Sequence, residues 1–237
     1  MKIKLLLAAG AAALARASAA QASVVVLNFE GVNATYPSGY ATVGDFYNGG
    51  TSGDGTTGTN YGVHFESNAL AICLNSTSVS CSNTSRGGLA PGSDKGGLFF
   101  LSGTSTILDY AAGFDTGFSF FYAEPNTHGG NVQVFDGLGG TGNLLATINL
   151  GLTSGSCPGY NAGYCPFTPV GVSFAGTAKS IAFGGVANFV VFDDVTFGSA
   201  IAGGDVPEPS TWALSILGMG VAGAALRSSR RRKVALA

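Results

Sequence analysis

The chain has 237 residues, 46% of them hydrophobic and only 10% charged, with 38 glycines and 16 phenylalanines, a composition that excludes intrinsic disorder and points to a β-rich globular body. Its formal charge of −2 hides a division: the basic residues gather near the two termini, and between Ser23 and Asp205 only Arg86, Lys95 and Lys179 stand against twelve acidic residues. Three scattered cations make no phosphate-binding stripe, so nucleic acid is excluded as a partner.

Residues 1–22, MKIKLLLAAGAAALARASAAQA, combine two lysines, an apolar run from Leu5 to Leu14 and the small-x-small triplet Ala20-Gln21-Ala22. They predict a secretory signal peptide cut after Ala22; an ordinary amphipathic helix is the blander reading, but Leu5 through Ala15 offers no polar face. Export makes the four cysteines readable. Cys73 and Cys81 in CLNSTSVSC have the same spacing as Cys157 and Cys165 in CPGYNAGYC, which predicts two local disulfides, Cys73–Cys81 and Cys157–Cys165. Zinc is the rival, yet no pair is C-x-x-C and both histidines, His64 and His128, are distant in sequence from every cysteine.

Residues 23–200 read as short strands separated by turn residues: VVVLNFE from Val24, then GVHFES, ALAIC, GLFFLSG, STILDY, GFSFFYAE, NVQVFDG, NLLATINL, KSIAFGG and FVVFDDVTF. A long Gly/Ser/Thr loop follows the first of them. No convincing helix interrupts the series, so the expected class is all-β, an antiparallel jelly-roll-like β-sandwich. FSFFYA, VQVFDG and LLATINL are expected to form a meander. Residues 201–206 read as a linker.

Two glycine patterns, Gly53 to Gly58 and Gly218 to Gly223, fit G-x-G-x-x-G, but neither joins a strand to a helix as a dinucleotide site requires. Enzyme chemistry has little to work with. Glu30, Glu66 and Glu124 are the glutamates of the body, and His64-Phe65-Glu66 puts an imidazole and a carboxylate on one face of a strand, yet no nucleophile motif accompanies them. His128 reads as a loop residue. The expectation is a protein without catalytic activity.

The chain closes on VPEPSTWALSILGMGVAGAALRSSRRRK, Val206 to Lys233. Thr211 to Leu226 carries no charge and, as a helix, covers about 24 Å, a marginal transmembrane span. Arg227, Arg230, Arg231, Arg232 and Lys233 would hold its far end on the cytoplasmic side of an inner membrane, leaving the body outside. Pro207 and Pro209 separate this helix from the body. The PEP triplet Pro207-Glu208-Pro209, Trp212-Ala213 after it, the apolar helix and the basic cluster resemble the PEP-CTERM sorting tail over residues 207–233. That resemblance implies an exosortase-like membrane enzyme as partner. It also implies an inner-membrane-anchored precursor with a periplasmic body, and delivery to the cell surface or an exopolysaccharide matrix.

VQVFDGLGGTGNLLATINL and FVVFDDVTFG are similar to exported PEP-CTERM bodies and, more distantly, to jelly-roll carbohydrate-binding modules. The second resemblance implies a structural calcium held by Glu30 and Asp193; the alternative for Asp193 is a rim carboxylate bonded to backbone amides. No other cofactor is expected. Strand alternation puts Val191, Asp193, Val195 and Phe197 on one face. Two functional classes remain, a structural surface protein and a module that binds polysaccharide. The body has no Trp for stacking on sugars. Tyr36, Tyr40, Tyr47, Tyr61, Tyr160 and Tyr164 are the available rings, and the surface protein is the favoured class.

Overall fold

The computed structural model describes residues 24–74, 81, 93, 95–124, 129–153 and 167–203. The signal peptide, His128, Tyr160, Tyr164, the Cys157–Cys165 pair and the tail from Pro207 lie outside the described residues.

These residues form β1 (Val25–Leu27), β2 (Tyr40–Thr42), β3 (Val63–Phe65), β4 (Leu70–Cys73), β5 (Gly96–Phe99), β6 (Ser105–Phe114), β7 (Gly117–Ala123), β8 (Gly130–Phe135), β9 (Leu144–Leu150), β10 (Thr168–Ser173), β11 (Ala178–Gly184) and β12 (Val191–Phe197). All pairings are antiparallel. The larger sheet runs β10-β7-β12-β5-β4-β2, with β1 also on β12, and the smaller runs β3-β6-β11-β8-β9. The expected all-β class is what the described residues show.

Alternation builds the shared core. In β8, Val132 and Val134 are buried while Asn131 and Gln133 face outward. Phe183 of the smaller sheet meets Phe120 and Phe192 of the larger one at ring-centroid distances of 6.1 and 4.9 Å. Each fully buried Phe contributes about 1.5–3 kcal/mol. A second apolar cluster, including Leu70, Ile72, Phe99, Phe121 and Val191, covers the other face of the larger sheet. β7, buried on both faces, therefore reads as a nearly continuous apolar run, whereas β12, equally buried, is interrupted by Asp193, Asp194 and Thr196.

The expected meander is corrected in part. β8 and β9 do pair, but β7 belongs to the other sheet, between β10 and β12. β2 and β10 were not expected: β2 is three residues long within a glycine-rich region, and β10 carries Pro169 and Gly171, which it tolerates as an edge strand. Cys73 at the end of β4 is bonded to Cys81, with Cα atoms 5.8 Å apart.

β1 and β5 occupy one edge of β12 in succession. β1 pairs with Val195 to Phe197, and β5 meets β12 at Phe192. Asp193 and Asp194 fall at this handover.

Candidate functional site

The chain leaving β1 turns at Phe29, whose φ of 57° lies in the left-handed region. Two tyrosines hold the turn: the Phe29 N–H donates to Tyr47 Oη at 2.8 Å, and Tyr36 Oη donates to the Phe29 carbonyl at 3.2 Å. Glu30 is thereby aimed at the start of β5. Its Oε1 accepts from the Lys95 and Gly96 amides at 2.6 and 2.7 Å and from Ser93 Oγ at 3.3 Å. Gly96 has to be glycine, since an added Cβ would lie 2.5 Å from the Phe29 carbonyl carbon.

Asp193 is fully buried. Its Oδ1 accepts from the Asp194 amide at 2.7 Å, and Oδ2 has no hydrogen-bond partner. Burial first, then the neighbouring Asp194 charge, push its carboxyl well above the usual range. Asp194 is raised to about 6 by burial and by Glu30. Tyr36 and Tyr47 are raised as well, chiefly by burial, with Glu30 adding to both. The structure thus brings Glu30 and Asp193 together, and adds Asp194, Ser93, Tyr36 and Tyr47 to the corner. Of these, the double Asp was the one signal in the sequence.

The expected shared face of β12 is corrected. Asp193 lies opposite Phe121, but the next pair is Thr196 with Ser119, so Asp194 and Val195 form a bulge against Phe120. Val191 joins the outer apolar cluster, whereas Val195 and Phe197 join the core between the sheets. Asp193 shares its side with Val191 only.

A calcium ion takes six or more oxygens. Among the described residues no group of three or more His, Cys, Asp or Glu side chains is arranged to hold a metal. The corner offers such an ion one orphaned buried oxygen of Asp193 and the Glu30 carboxylate, short of the six it takes.

The other candidates disperse. His64 Nδ1 meets Asp45 Oδ1 at 2.8 Å on the surface, with both side chains about half exposed. Glu66 is exposed after β3, whereas Glu124 is buried after β7 in the other sheet. Gly53 to Gly58 form a loop in which the Gly53 amide donates to Thr42 O and the Ser52 amide to Thr56 O, both at 2.9 Å. Tyr47 is core, Tyr61 packs beside it at 6.2 Å, and Tyr40 is 51% exposed.

Residues 205–232 match the PEP-CTERM protein-sorting motif. The chain therefore carries the sorting tail that its PEP triplet, Trp212-Ala213, apolar stretch and basic cluster resemble. The motif marks an exported, sorted protein with a membrane-anchored precursor and implies processing by exosortase, a membrane enzyme. No curated protein matches the chain.

Proposed function

We propose that this chain is a non-enzymatic, jelly-roll-like surface protein, released from its membrane precursor at the tail and held in the cell envelope or exopolysaccharide matrix. The PEP-CTERM match at residues 205–232 carries the reading, because it joins a routing signal to an all-β body. Jelly-roll character is supported by the successive passage of β5, β6, β7 and β8, and again of β9 to β12, from one sheet to the other. Dispersal of His64, Glu66 and Glu124 supports the absence of catalysis, which needs groups converging on one reacting atom. The test is fractionation of producing cells with and without their exosortase. The body is expected at the surface in the first and in the inner membrane in the second. Identical fractionation would overturn the proposal.

A structural calcium at Glu30 and Asp193 is a second reading, favoured by the buried, unpartnered Asp193 Oδ2. The ion would neutralise Asp193, whose burial otherwise disfavours ionisation, and would tie β12 to the turn at Phe29. Chelator should lower the melting temperature of the wild type and leave Asp193→Ala unmoved. An unchanged wild-type melt in chelator would exclude the ion. A third reading, that the body binds polysaccharide, is favoured by a polar cleft on the smaller sheet.

A further inference from the structure

The outer face of the smaller sheet holds a cleft of about 370 Å³ running along β11. Phe183 points into the core, so Ala182 and Gly184 on either side of it face outward and form a low floor. The neighbouring strands carry larger side chains. Ala182 lies opposite Ile107 of β6 and Gln133 of β8, and Gly184 lies opposite Ser105. Thr104 and Ser105 therefore stand on one wall, with Asn131 and Gln133 on the other.

Both ends of the cleft are built. At one end the loop after β8 folds back over the sheet: the Gly139 amide donates to Asp109 Oδ1 at 2.7 Å and the Gly140 amide to Ser180 Oγ at 3.0 Å. These bonds tie the loop to Asp109 and Ser180 on that face. At the other end the turn between β11 and β12 is tied to the turn after β5 through Gly185 N to Thr104 O at 3.1 Å and Asn188 N to Phe100 O at 2.8 Å. Val186, Phe189 and Leu101 are each partly exposed on these two turns, at 38, 37 and 41%.

The cleft is thus walled by hydroxyls and amides, has no charged lining residue, and includes the apolar Val186. Among the described residues, the side-chain amides of Asn131 and Gln133 make no protein hydrogen bond. Carboxamides donate and accept together, matching vicinal hydroxyls, whereas an anion or a cation finds no opposite charge here. A sugar ring has the same division, a hydroxyl rim and an apolar C–H face. We propose that this cleft binds a short stretch of a neutral polysaccharide, with Asn131 and Gln133 bonding its hydroxyls and Val186 meeting an apolar face. The proposal rests on the reading that the body binds polysaccharide and places the site within it.

The test is calorimetric titration of the purified full-length chain with cellohexaose, maltohexaose and mannohexaose, with polygalacturonate as the charged comparison. At least one neutral hexasaccharide should bind. Ala182→Arg, which fills the floor from the solvent side, should abolish binding, and Gln133→Ala should weaken it about five- to tenfold, the loss of one or two hydrogen bonds. Far-ultraviolet circular dichroism and the melting temperature report folding; should Ala182→Arg not fold, Gln133→Ala and Asn131→Ala, which remove outward-facing side chains, carry the test. Binding of a neutral probe that none of these substitutions changes would overturn the cleft and leave the polysaccharide reading standing. Absence of neutral binding, or binding of polygalacturonate alone, would overturn both.

Discussion

Asp193 lies opposite Phe121 in the pairing of β12 with β7, while its chain neighbour Asp194 opposes nothing one-to-one, because two residues of β12 face Phe120 alone. The bulge, with Asp194 at a φ of 47°, turns the strand over between its apolar halves. It leaves two acidic residues where β1 gives way to β5.

Stability should therefore depend on pH. Asp194 is raised to about 6 in the folded chain, above its unfolded value, and Asp193 is raised well above its own. The folded state then holds protons at these two carboxyls that the unfolded state has lost. Their contribution to stability is therefore greatest below the unfolded pKa, near 4, and declines as pH rises through about 6. Asp194 adds on the order of 1–2 kcal/mol to this decline, solvent near its incompletely desolvated carboxyl screening the rest. Denaturant titrations at pH 4.5 and 7.5 in chelator measure it. Asp193→Asn should reduce the slope and raise stability at pH 7.5; equal stabilities of the wild type at both pH values would contradict the account.

Gly96→Ala should destabilise the protein by about 2–4 kcal/mol, since the new methyl meets backbone rather than a mobile side chain. Gly55→Ala is the comparison. That position has open space around its Cβ and strain only from a φ of +76°, with an expected cost of about 1 kcal/mol. Equal losses in urea unfolding would argue against tight contact between Phe29 and β5.

Removing the Cys73–Cys81 bond by a double Ser substitution should cost about 2–3 kcal/mol, the chain-entropy value for a loop of this size. Non-reducing peptide mapping of the exported protein should recover Cys73 joined to Cys81. Recovery of Cys73 joined to Cys157 or Cys165 would contradict the pairing.

Much of this fold is written in residue order, because isolated apolar runs such as VHF, STIL and VQVF alternate with the pleat. Sheet membership is not. FSFFYA and VQVF are adjacent runs, yet Phe118 and Phe120 face the core from one sheet and Val132 and Val134 from the other, a choice made by long-range pairing. β10 escaped because Pro169 and Gly171 oppose strand propensity and are tolerated only at an edge. Glu30 and Asp193 were legible as a pair through the resemblance to carbohydrate-binding modules. The bulge was not, since alternation carried unbroken through FDDVTF predicts the wrong face. The cleft is a product of three strands' registers, and no local motif signals it.

The tail allows the most direct test of the central claim that the chain is a processed surface protein. If Pro207-Glu208-Pro209 is only a linker, insertion depends on the apolar stretch and its flanking charge. Replacing the triplet by Ala-Gln-Ala would then change nothing. If the triplet is read by a processing enzyme, the substitution blocks maturation. The measurement is the intact mass of surface-exposed protein from cells making the wild type and the triplet variant. The account predicts a wild type lacking its apolar helix and basic end, and a variant kept in the membrane at full precursor length. Wild-type protein at the surface with Val206 to Ala237 intact would contradict it.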